Sequence, residues 1–453
     1  MSMITLSVIL SFAASGKAPA APKVPLSPST AGTISVLKTG ASPDGRTDCL
    51  PAFQKACDSL RACGGTVFVP PGLYLLTKSL TVPPGVTLQG SWQGPHHGDW
   101  RHGSTLLITA GHGTEKGPAA IELEQSSCIR GFTIIYPKQR VENVVPYPWT
   151  IHGKGMHVTI ENITLVNSYN GIALGPEYNE LHLIRNVFGC VLRRGIFIDR
   201  CTDIGRIENV HFNPHYWVRA EFPQSPGVTS VDLPSGRRER RSPQWFMTRH
   251  LEAFIFGRTD WEYVLNTFVF GAKVGYLFKA TPNGAPNGNF LGIGADWCTT
   301  CLKIENTQSM GILVTNGEFV GNRECRNAIE ITGGVLQLCN SNFWGFQQTN
   351  VKLSGTRSLA SLNQCFFRDW GKLLFSSAAC VEAQGGILTI QGSSFMRERL
   401  HIRLGKDVRS AVIFGNTFSG KPRIESEAEG QVKIDLNVSL AELRKKAKKP
   451  ADK

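Results

Sequence analysis

The amino-acid sequence predicts an all-β protein, a single-stranded parallel β-helix with a helical cap at its N-terminal end. Three observations support this fold class. A short sequence motif recurs, in which apolar residues are followed by Asn or Gly and then by an aromatic or aliphatic residue. Successive copies lie 23 or 24 residues apart over long stretches. The segments between them are short, β-branched and interrupted by Gly and Asn, as expected for stacked coils of about three strands.

The repeated motif occurs along most of the chain. Representative copies are 160–163, 184–188 and 207–212. Leucine-rich repeats have a similar period, but their leucine signature and helical half are absent here. Because each coil of a β-helix buries its inward side chains only against its neighbours, the core is expected to form one continuous column.

A helix within residues 51–61 is predicted to cover the first coil, whose strands would otherwise expose unpaired edges. Asp48 is the expected N-cap. The apolar face of this helix consists of residues at helical spacing: Ala52, Phe53, Ala56 and Leu60.

Composition and terminal sequences predict one β-helix domain over residues 34–437. Of 453 residues, 41% are apolar and 18% are charged, which favours a large core and excludes general disorder. Residues 1–16 resemble a secretory signal without its basic start. Residues 17–33 are a predicted linker, and 438–453 are a predicted basic tail. We therefore expect a secreted or periplasmic protein, with no membrane span because no apolar run reaches about 18 residues.

The net charge of +13 favours an acidic partner such as a uronic-acid polymer, a nucleic acid or an anionic surface, against the alternative that the basic residues are simply solvated. No aromatic residues interleave with the basic tail, so a nucleic-acid partner is not expected. The 12 cysteines are too scattered for a small disulfide framework, and one or two disulfides stay open. Cys298 and Cys301 form a lone CxxC without the second pair of a structural zinc site. With no Asp-rich calcium loop either, we expect no metal or other cofactor.

Two N-terminal segments carry a family resemblance. DGRTDCLPAFQKA at residues 44–56 and GGTVFVPPGLY at residues 64–74 resemble the opening of pectate-lyase-superfamily proteins, the right-handed parallel β-helix proteins related to polygalacturonases. The resemblance implies a right-handed helix and a polysaccharide or oligosaccharide partner. The superfamily contains hydrolases, lyases, epimerases and phage tail-spikes, so fold alone does not select an activity. Whether the chain forms a homo-oligomer such as a trimer stays open.

The sequence departs from the family in its catalytic motifs. Polygalacturonases typically carry Asn-Thr-Asp, Asp-Asp, Gly-His-Gly and Arg-Ile-Lys in successive coils. Here Gly111-His112-Gly113 stands alone ahead of the main coils, and we interpret it as a Gly-rich turn. The Arg-x-Pro-x-x-Arg motif of calcium-dependent pectate lyases is absent. No catalytic residue can therefore be assigned by motif.

Alignment of the coils places three carboxylates at one position. Glu180, Asp203 and Asp260 each lie six residues before the Asn of their own coil. Neighbouring coils stack about 5 Å apart, so the outer two would be separated by about 10 Å. Inverting glycosidases hold their carboxylates about 6.5–9.5 Å apart, and retaining ones about 5 Å. We predict that these acids are catalytic, against the alternative that they are solvated turn residues.

Further residues are predicted to bind the substrate. Arg200 and Arg258 would stack beside the acids, either to bind a substrate carboxylate or to balance Asp199 and Asp203. An insertion at 214–249 is expected to wall a groove. The remaining candidates are polar residues or sugar-stacking rings near these acids: Asp199, His215, Tyr216, Trp217, Trp261, Glu262 and Asp296.

Three functions are consistent with this sequence. The first is a glycoside hydrolase that uses paired carboxylates on stacked coils. The second is a lyase for a uronic-acid polymer, with Arg200, Arg258 or Lys279 as base or charge neutraliser. The third is a non-catalytic glycan-binding or adhesion protein of the tail-spike type.

Overall fold

The computed structural model describes residues 32–92, 94, 102–220, 242–372 and 376–441. These residues form a parallel β-solenoid of about 15 turns with little helix, which confirms the predicted fold class. The predicted signal peptide, nearly all of the linker and most of the basic tail lie outside the described residues.

The helices are a 3-10 turn at Val36–Thr39, then α1 (Leu50–Ser59), α2 (His215–Val218) and α3 (Pro243–His250). The strands of the N-terminal half are β1 (Thr33–Ser35), β2 (Asp44–Asp48), β3 (Gly65–Phe68), β4 (Gly72–Leu76), β5 (Leu80–Val82), β6 (Val86–Gln89), β7 (Ser104–Ile108), β8 (Ile121–Leu123), β9 (Cys128–Ile135), β10 (Trp149–Met156), β11 (Thr159–Glu180), β12 (Leu183–Ile198) and β13 (Arg206–Phe212). The next strands are β14 (Glu252–Phe256), β15 (Glu262–Phe270), β16 (Val274–Phe278), β17 (Gly288–Leu291), β18 (Gly294–Cys298), β19 (Thr300–Ile304), β20 (Ile312–Thr315), β21 (Glu318–Gly321), β22 (Asn327–Ile331), β23 (Val335–Cys339) and β24 (Asn342–Gly345). The last are β25 (Thr349–Leu353), β26 (Leu359–Asn363), β27 (Phe366–Phe367), β28 (Val381–Gln391), β29 (Ser394–Phe395), β30 (Ile402–Phe414), β31 (Thr417–Phe418), β32 (Ile424–Ser426), β33 (Gln431–Asp435) and β34 (Val438–Ser439).

Each coil contributes to three stacked parallel sheets. In β12, residues 183–185 belong to sheet 1, 187–189 to sheet 2 and 194–198 to sheet 3. A sharp bend at the Asn of the repeated motif separates sheet 1 from sheet 2. A longer turn returns the chain from sheet 3 to sheet 1 of the next coil, and this turn carries the three predicted acids.

The Asn of the repeated motif has a left-handed backbone conformation. Asn162, Asn186 and Asn209 have φ between 53° and 56°, a region that Asn tolerates better than most residues. Their amides also form a ladder along the solenoid. Asn186 donates to Asn162 at 2.9 Å, and Asn209 donates to Asn186 at 2.8 Å. The residue type therefore fits both the bend and the stacking of the coils.

The core is one continuous column of inward side chains, as predicted. Its C-terminal half contains a row of phenylalanines on sheet 2, with successive ring centroids 4.8–5.2 Å apart. This spacing equals the distance between neighbouring strands, so each ring packs on the equivalent ring of the next coil. The row consists of Phe319, Phe343, Phe367, Phe395 and Phe418.

Helix α1 covers the first coils and buries Ala52, Phe53, Ala56 and Cys57. The expected N-cap is wrong by one residue, because Cys49 occupies that position. The side chain of Asp48 instead accepts hydrogen bonds from the Leu50 amide at 3.1 Å and from the Thr77 hydroxyl at 2.6 Å. Asp48 thus joins the cap to the neighbouring coil.

The described parts of the 214–249 insertion form α2 and α3, which pack against the outside of the coils. Tyr216, Trp217 and Met247 are buried there and anchor the two helices. The cysteines are all unpaired, and both Cys298 and Cys301 are buried. Within the described residues, no helix is long and apolar enough to cross a membrane.

We predict that the Asn ladder contributes measurably to the free energy of unfolding. Asn186→Gly keeps the left-handed backbone but loses two amide hydrogen bonds, which should lower the free energy of unfolding by about 1–2 kcal/mol. Asn186→Ala should cost about 1–2 kcal/mol more, because alanine disfavours positive φ. Urea unfolding measures both values. Equal losses for the two variants would contradict the conformational role of this position.

Candidate functional site

The turn from sheet 3 to sheet 1 holds the three acids predicted from sequence. Leu183, Arg206 and Tyr263 are paired neighbours in sheet 1, and each acid lies three residues before one of them. Glu180, Asp203 and Asp260 therefore occupy the same turn of three successive coils.

The contacts of these acids differ. Glu180 is half-buried and accepts a hydrogen bond from the Thr202 hydroxyl at 2.6 Å. This bond, and a second one from the Tyr178 hydroxyl, lower the pKa of Glu180. Asp203 and Asp260 are exposed, and Asp260 lies 4.0 Å from the Arg258 guanidinium. Glu180 is therefore suited to remain ionised rather than to donate a proton.

Asp199 is buried and organises this turn. Its carboxylate accepts from the amides of Arg200 and Arg258 at 2.9 and 2.8 Å. It also accepts from the Thr281 hydroxyl at 2.8 Å and from the Asn283 amide at 2.9 Å. With four donors satisfied from within the protein, Asp199 ties consecutive turns together and is not placed to contact a substrate.

The other predicted residues of this turn are only partly accessible. Arg200 is exposed, and Arg258 and Trp261 are half-buried. Glu262 is fully buried and lies 3.0 Å from His182, so it does not face solvent. Trp217 is likewise fully buried, which makes it part of the insertion's anchor in this structure.

A different carboxyl pair lies on the outer face of sheet 2. Asp296 belongs to β18 and Glu318 begins the next strand of this sheet, β21. Ala295 and Phe319 point into the core, so Asp296 and Glu318 point outwards because side chains alternate along a strand. Burial, together with the nearby negative charge of Glu318, raises the pKa of Asp296 to about 6.

The strand register sets the separation of this pair. Gly294 lies directly opposite Glu318, and Asp296 is two residues further along the strand. Neighbouring strands lie about 4.8 Å apart and each residue advances about 3.3 Å along a strand, so these two backbone positions are about 8 Å apart. Inverting glycosidases hold their carboxyl groups about 6.5–9.5 Å apart, a separation that these backbone positions allow.

A shallow groove of about 570 Å³ begins at Glu318 and runs along the following coils. Trp344 is 38% exposed there and donates its indole N–H to Glu318 at 3.0 Å. Phe366 is 40% exposed on the next coil, close to Arg368. The lining combines aromatic faces, amides and one cation: Asn316, Gly317, Glu318, Asn340, Asn342, Phe343, Trp344, Phe366 and Arg368.

The insertion reaches the outer face of sheet 2 beside Asp296. The ring of His215 in α2 stacks on Phe270, with centroids 6.4 Å apart. Phe270 is the strand partner of Asp296. Of the predicted residues, His215 and Asp296 therefore lie on the outer face of sheet 2, next to the groove but not in its lining, whereas Glu180, Asp203 and Asp260 lie in the turn between sheets 3 and 1. The sequence analysis did not identify Glu318 and Trp344. Trp344 is an aromatic residue at an outward strand position, which was a signal for a binding surface.

A second polar cluster lies at the start of sheet 3. Glu115 accepts hydrogen bonds from Tyr169 at 2.7 Å and from Arg194. Arg194 also lies 5.0 Å from the centre of the Trp149 ring. Burial opposes ionisation of Glu115, but its two partners outweigh burial and lower its pKa. Because its carboxylate is already satisfied, this cluster is a weaker candidate for acid–base chemistry.

The fold is that of a parallel β-helix protein. Residues 33–103 match the family model described as rhamnogalacturonase A/epimerase, pectate lyase-like, which confirms the resemblance found at residues 44–74. Among solved structures, the A-module of the Azotobacter vinelandii mannuronan C-5 epimerase AlgE6 has a TM-score of 0.50 at 14% identity, covering 89% of this chain and 98% of that one.

Gene product 12 of bacteriophage phi29, in its pre-mature form, has a TM-score of 0.57 at 13% identity. The match covers 90% of this chain and 56% of that one. At these identities, both similarities show the fold alone. No curated protein matches the chain.

We predict that Asp296 destabilises the folded protein at neutral pH. Its pKa rises from 3.8 to about 6 on folding. Below 3.8 both states are protonated and there is no penalty. Between these values the unfolded state loses its proton first, so the penalty grows with pH and is complete above about 6. Asp296→Asn should therefore raise the melting temperature at pH 7.5 relative to wild type, and this gain should vanish near pH 4.

Glu318→Gln is the matched variant, since it removes the charge that helps to raise the pKa of Asp296. It should reduce the benefit of Asp296→Asn in the double variant. Differential scanning calorimetry across this pH range provides the measurement. If Asp296→Asn lowered the melting temperature equally at both pH values, the proposed electrostatic penalty would be wrong.

Proposed function

We propose that this protein is a polysaccharide-active glycoside hydrolase of the inverting type, with Asp296 as general acid and Glu318 as general base. The observation that carries the proposal is the raised pKa of Asp296 close to a second carboxylate, Glu318, which lines an open, aromatic groove. A proton donor must keep its proton near working pH, which an ordinary aspartate does not. Burial beside Glu318 gives Asp296 that property.

The proposed reaction uses each carboxyl group once. Protonated Asp296 donates its proton to the glycosidic oxygen as the bond to the anomeric carbon breaks. Glu318 removes a proton from a water molecule, and the resulting hydroxide bonds to the anomeric carbon from the opposite face. Asp296 ends ionised and Glu318 ends protonated, and exchange with solvent restores both. The Trp344 N–H, 3.0 Å from Glu318, orients this carboxylate.

The groove supports a carbohydrate substrate. Exposed rings such as Trp344 and Phe366 offer apolar faces for sugar rings, and the amides of Asn316, Asn340 and Asn342 can bond hydroxyl groups. Arg368 and the net charge of +13 favour an acidic sugar. The family description that matches residues 33–103 names a rhamnogalacturonase and an epimerase, which agrees with this substrate class.

The turn that holds Glu180, Asp203 and Asp260 is the second candidate for the reaction centre. Asp203 and Asp260 are exposed there, and Arg258 lies beside Asp260. Together with Glu180 and Arg200 they remain the set predicted from sequence. Lyase action on a uronic-acid polymer and simple glycan binding are the competing functions. We also propose export of the chain, which is supported by the apolar stretch at 4–14.

Hydrolysis is tested with a panel of neutral and acidic polysaccharides. We expect new reducing ends without the absorbance of unsaturated products. Asp296→Asn and Glu318→Gln should each reduce kcat by about 10²–10⁴-fold, the range typical of a general acid or base. Trp344→Ala should mainly raise KM. Reducing ends with unsaturated products would show a lyase, and binding without either product would show an adhesion protein.

Asp203→Asn and Asp260→Asn separate the two candidate sites. Both carboxylates are exposed, so these variants should fold, and we expect nearly unchanged turnover. Loss of activity in them, with full activity in Asp296→Asn, would transfer the reaction centre to the turn between sheets 3 and 1.

The pH profile provides an independent check. The general acid must be protonated, so kcat/KM should fall as pH rises through about 6, the pKa of Asp296. The Glu318→Gln variant should shift this alkaline limb to lower pH in its residual activity, because Asp296 then loses its negative neighbour. A profile that stays flat from pH 5 to 8 would exclude Asp296 as the proton donor.

A further inference from the structure

Three ionisable side chains meet in the interior beneath the turn between sheets 3 and 1. His182, Cys201 and Glu262 are each 0% exposed. One nitrogen, sulfur or oxygen atom from each lies within 4.8 Å of the others. They come from three consecutive turns, at the start of β12, after β12 and at the start of β15. Within the described chain, this is the one such cluster of potential metal ligands.

The hydrogen bonds of Asn179 define which nitrogen of His182 acts as the donor towards it. The Asn179 amide nitrogen donates to the Asp199 carbonyl at 2.7 Å, so its oxygen faces His182 Nδ1 at 3.1 Å. Nδ1 must therefore carry hydrogen. The other nitrogen, Nε2, faces Glu262 Oε1 at 3.0 Å. A lone pair and a carboxylate oxygen repel at this distance, so a proton or a metal ion must lie between them.

The surroundings of the second oxygen of Glu262 distinguish between a proton and a metal ion at this position. Glu262 Oε2 is buried and has no hydrogen-bond partner, which is costly for a carboxylate. A proton on His182 satisfies Oε1 and leaves Oε2 without a partner. A metal ion can bind both the imidazole and the carboxylate.

His182 and Glu262 both pack directly against Gly205. A Cβ atom there would lie 2.3 Å from His182 Nε2 and 2.4 Å from Glu262 Oε2, so any side chain would collide with both. His182 Nε2 and Glu262 Oε2 are therefore close to the same backbone position. The thiol of Cys201 is also part of this cluster. Its sulfur lies 3.9 Å from His182 Nδ1, and it donates to the Asp203 carbonyl at 3.3 Å.

We propose that His182 Nε2, Cys201 Sγ and the Glu262 carboxylate bind a structural zinc ion. Imidazole nitrogen, thiolate sulfur and carboxylate oxygen are the ligand types that zinc prefers. One thiolate and one carboxylate balance the charge of the divalent ion, so the complex is neutral in a dry interior. The bond from Nδ1–H to Asn179 corresponds to the outer hydrogen bond that usually orients a zinc-binding histidine.

This site differs from the metal-free expectation drawn from sequence and does not depend on the hydrolase proposal. Its ligands are fully buried, so the ion would not meet a substrate. It would join three turns beneath Asp203 and Asp260, where a metal ion contributes directly to folding energy.

The test measures metal in the full chain after growth in zinc-supplemented medium, with any affinity tag removed. We expect about one zinc ion per chain by mass spectrometry. Cys201→Ser and Glu262→Gln should lose it, whereas Cys190→Ser should retain it. Cys190 is the matched control because it is an equally buried, unpaired thiol outside the cluster.

Cobalt gives a signature that a merely structural cysteine would not. After chelation and addition of Co²⁺, wild type and Cys190→Ser should show a thiolate-to-cobalt charge-transfer band, and Cys201→Ser should not. Chelation should also lower the wild-type melting temperature, and Zn²⁺ alone should restore it. Folded wild type without zinc and without the cobalt band, or zinc retained in Cys201→Ser, would overturn the proposal in favour of a protonated His182–Glu262 pair.

Discussion

The stacked left-handed bend between sheets 1 and 2 is the constraint on which the rest of the structure depends. Parallel strands can stay in register over many coils only if each coil turns at the same place. Asn162, Asn186 and Asn209 adopt positive φ and pass amide hydrogen bonds from coil to coil. Where Asn is absent, Gly292, Gly392 and other residues take the same conformation. The bend thus fixes register, and register fixes which side chains become neighbours.

Register then creates chemistry that no single segment contains. Asp296 and Glu318 are separated along the chain by a whole coil, yet β18 and β21 pair directly. The low accessibility of Asp296 and the charge of Glu318 act together on one proton. The same stacking brings His182, Cys201 and Glu262 into one buried cluster. Repetition of a simple bend therefore positions both a pair of acids on the outer face of sheet 2 and a buried cluster of ionisable side chains.

The acids of the turn and those of sheet 2 differ in how exposed their carboxyl groups are, and this difference affects which of them can act in catalysis. Asp203 and Asp260 project into solvent, while Asp199 in the same turn is buried with four donors. Asp296 lies between these extremes, since it is partly buried without a cationic partner among its described interactions. This intermediate environment is the one that suits proton transfer.

The sequence by itself determined the parallel β-helix, its helical cap and its coil spacing, because these depend on local periodicity and on residues that tolerate the bend. It also placed Glu180, Asp203 and Asp260 in equivalent turns, since counting from each Asn follows the register. Only the tertiary structure decided which acids are exposed, buried or paired. Glu262 was predicted to face a substrate, but it packs against His182 in the interior. Burial and charge proximity arise between coils and against the insertion, so one-dimensional spacing does not reveal them.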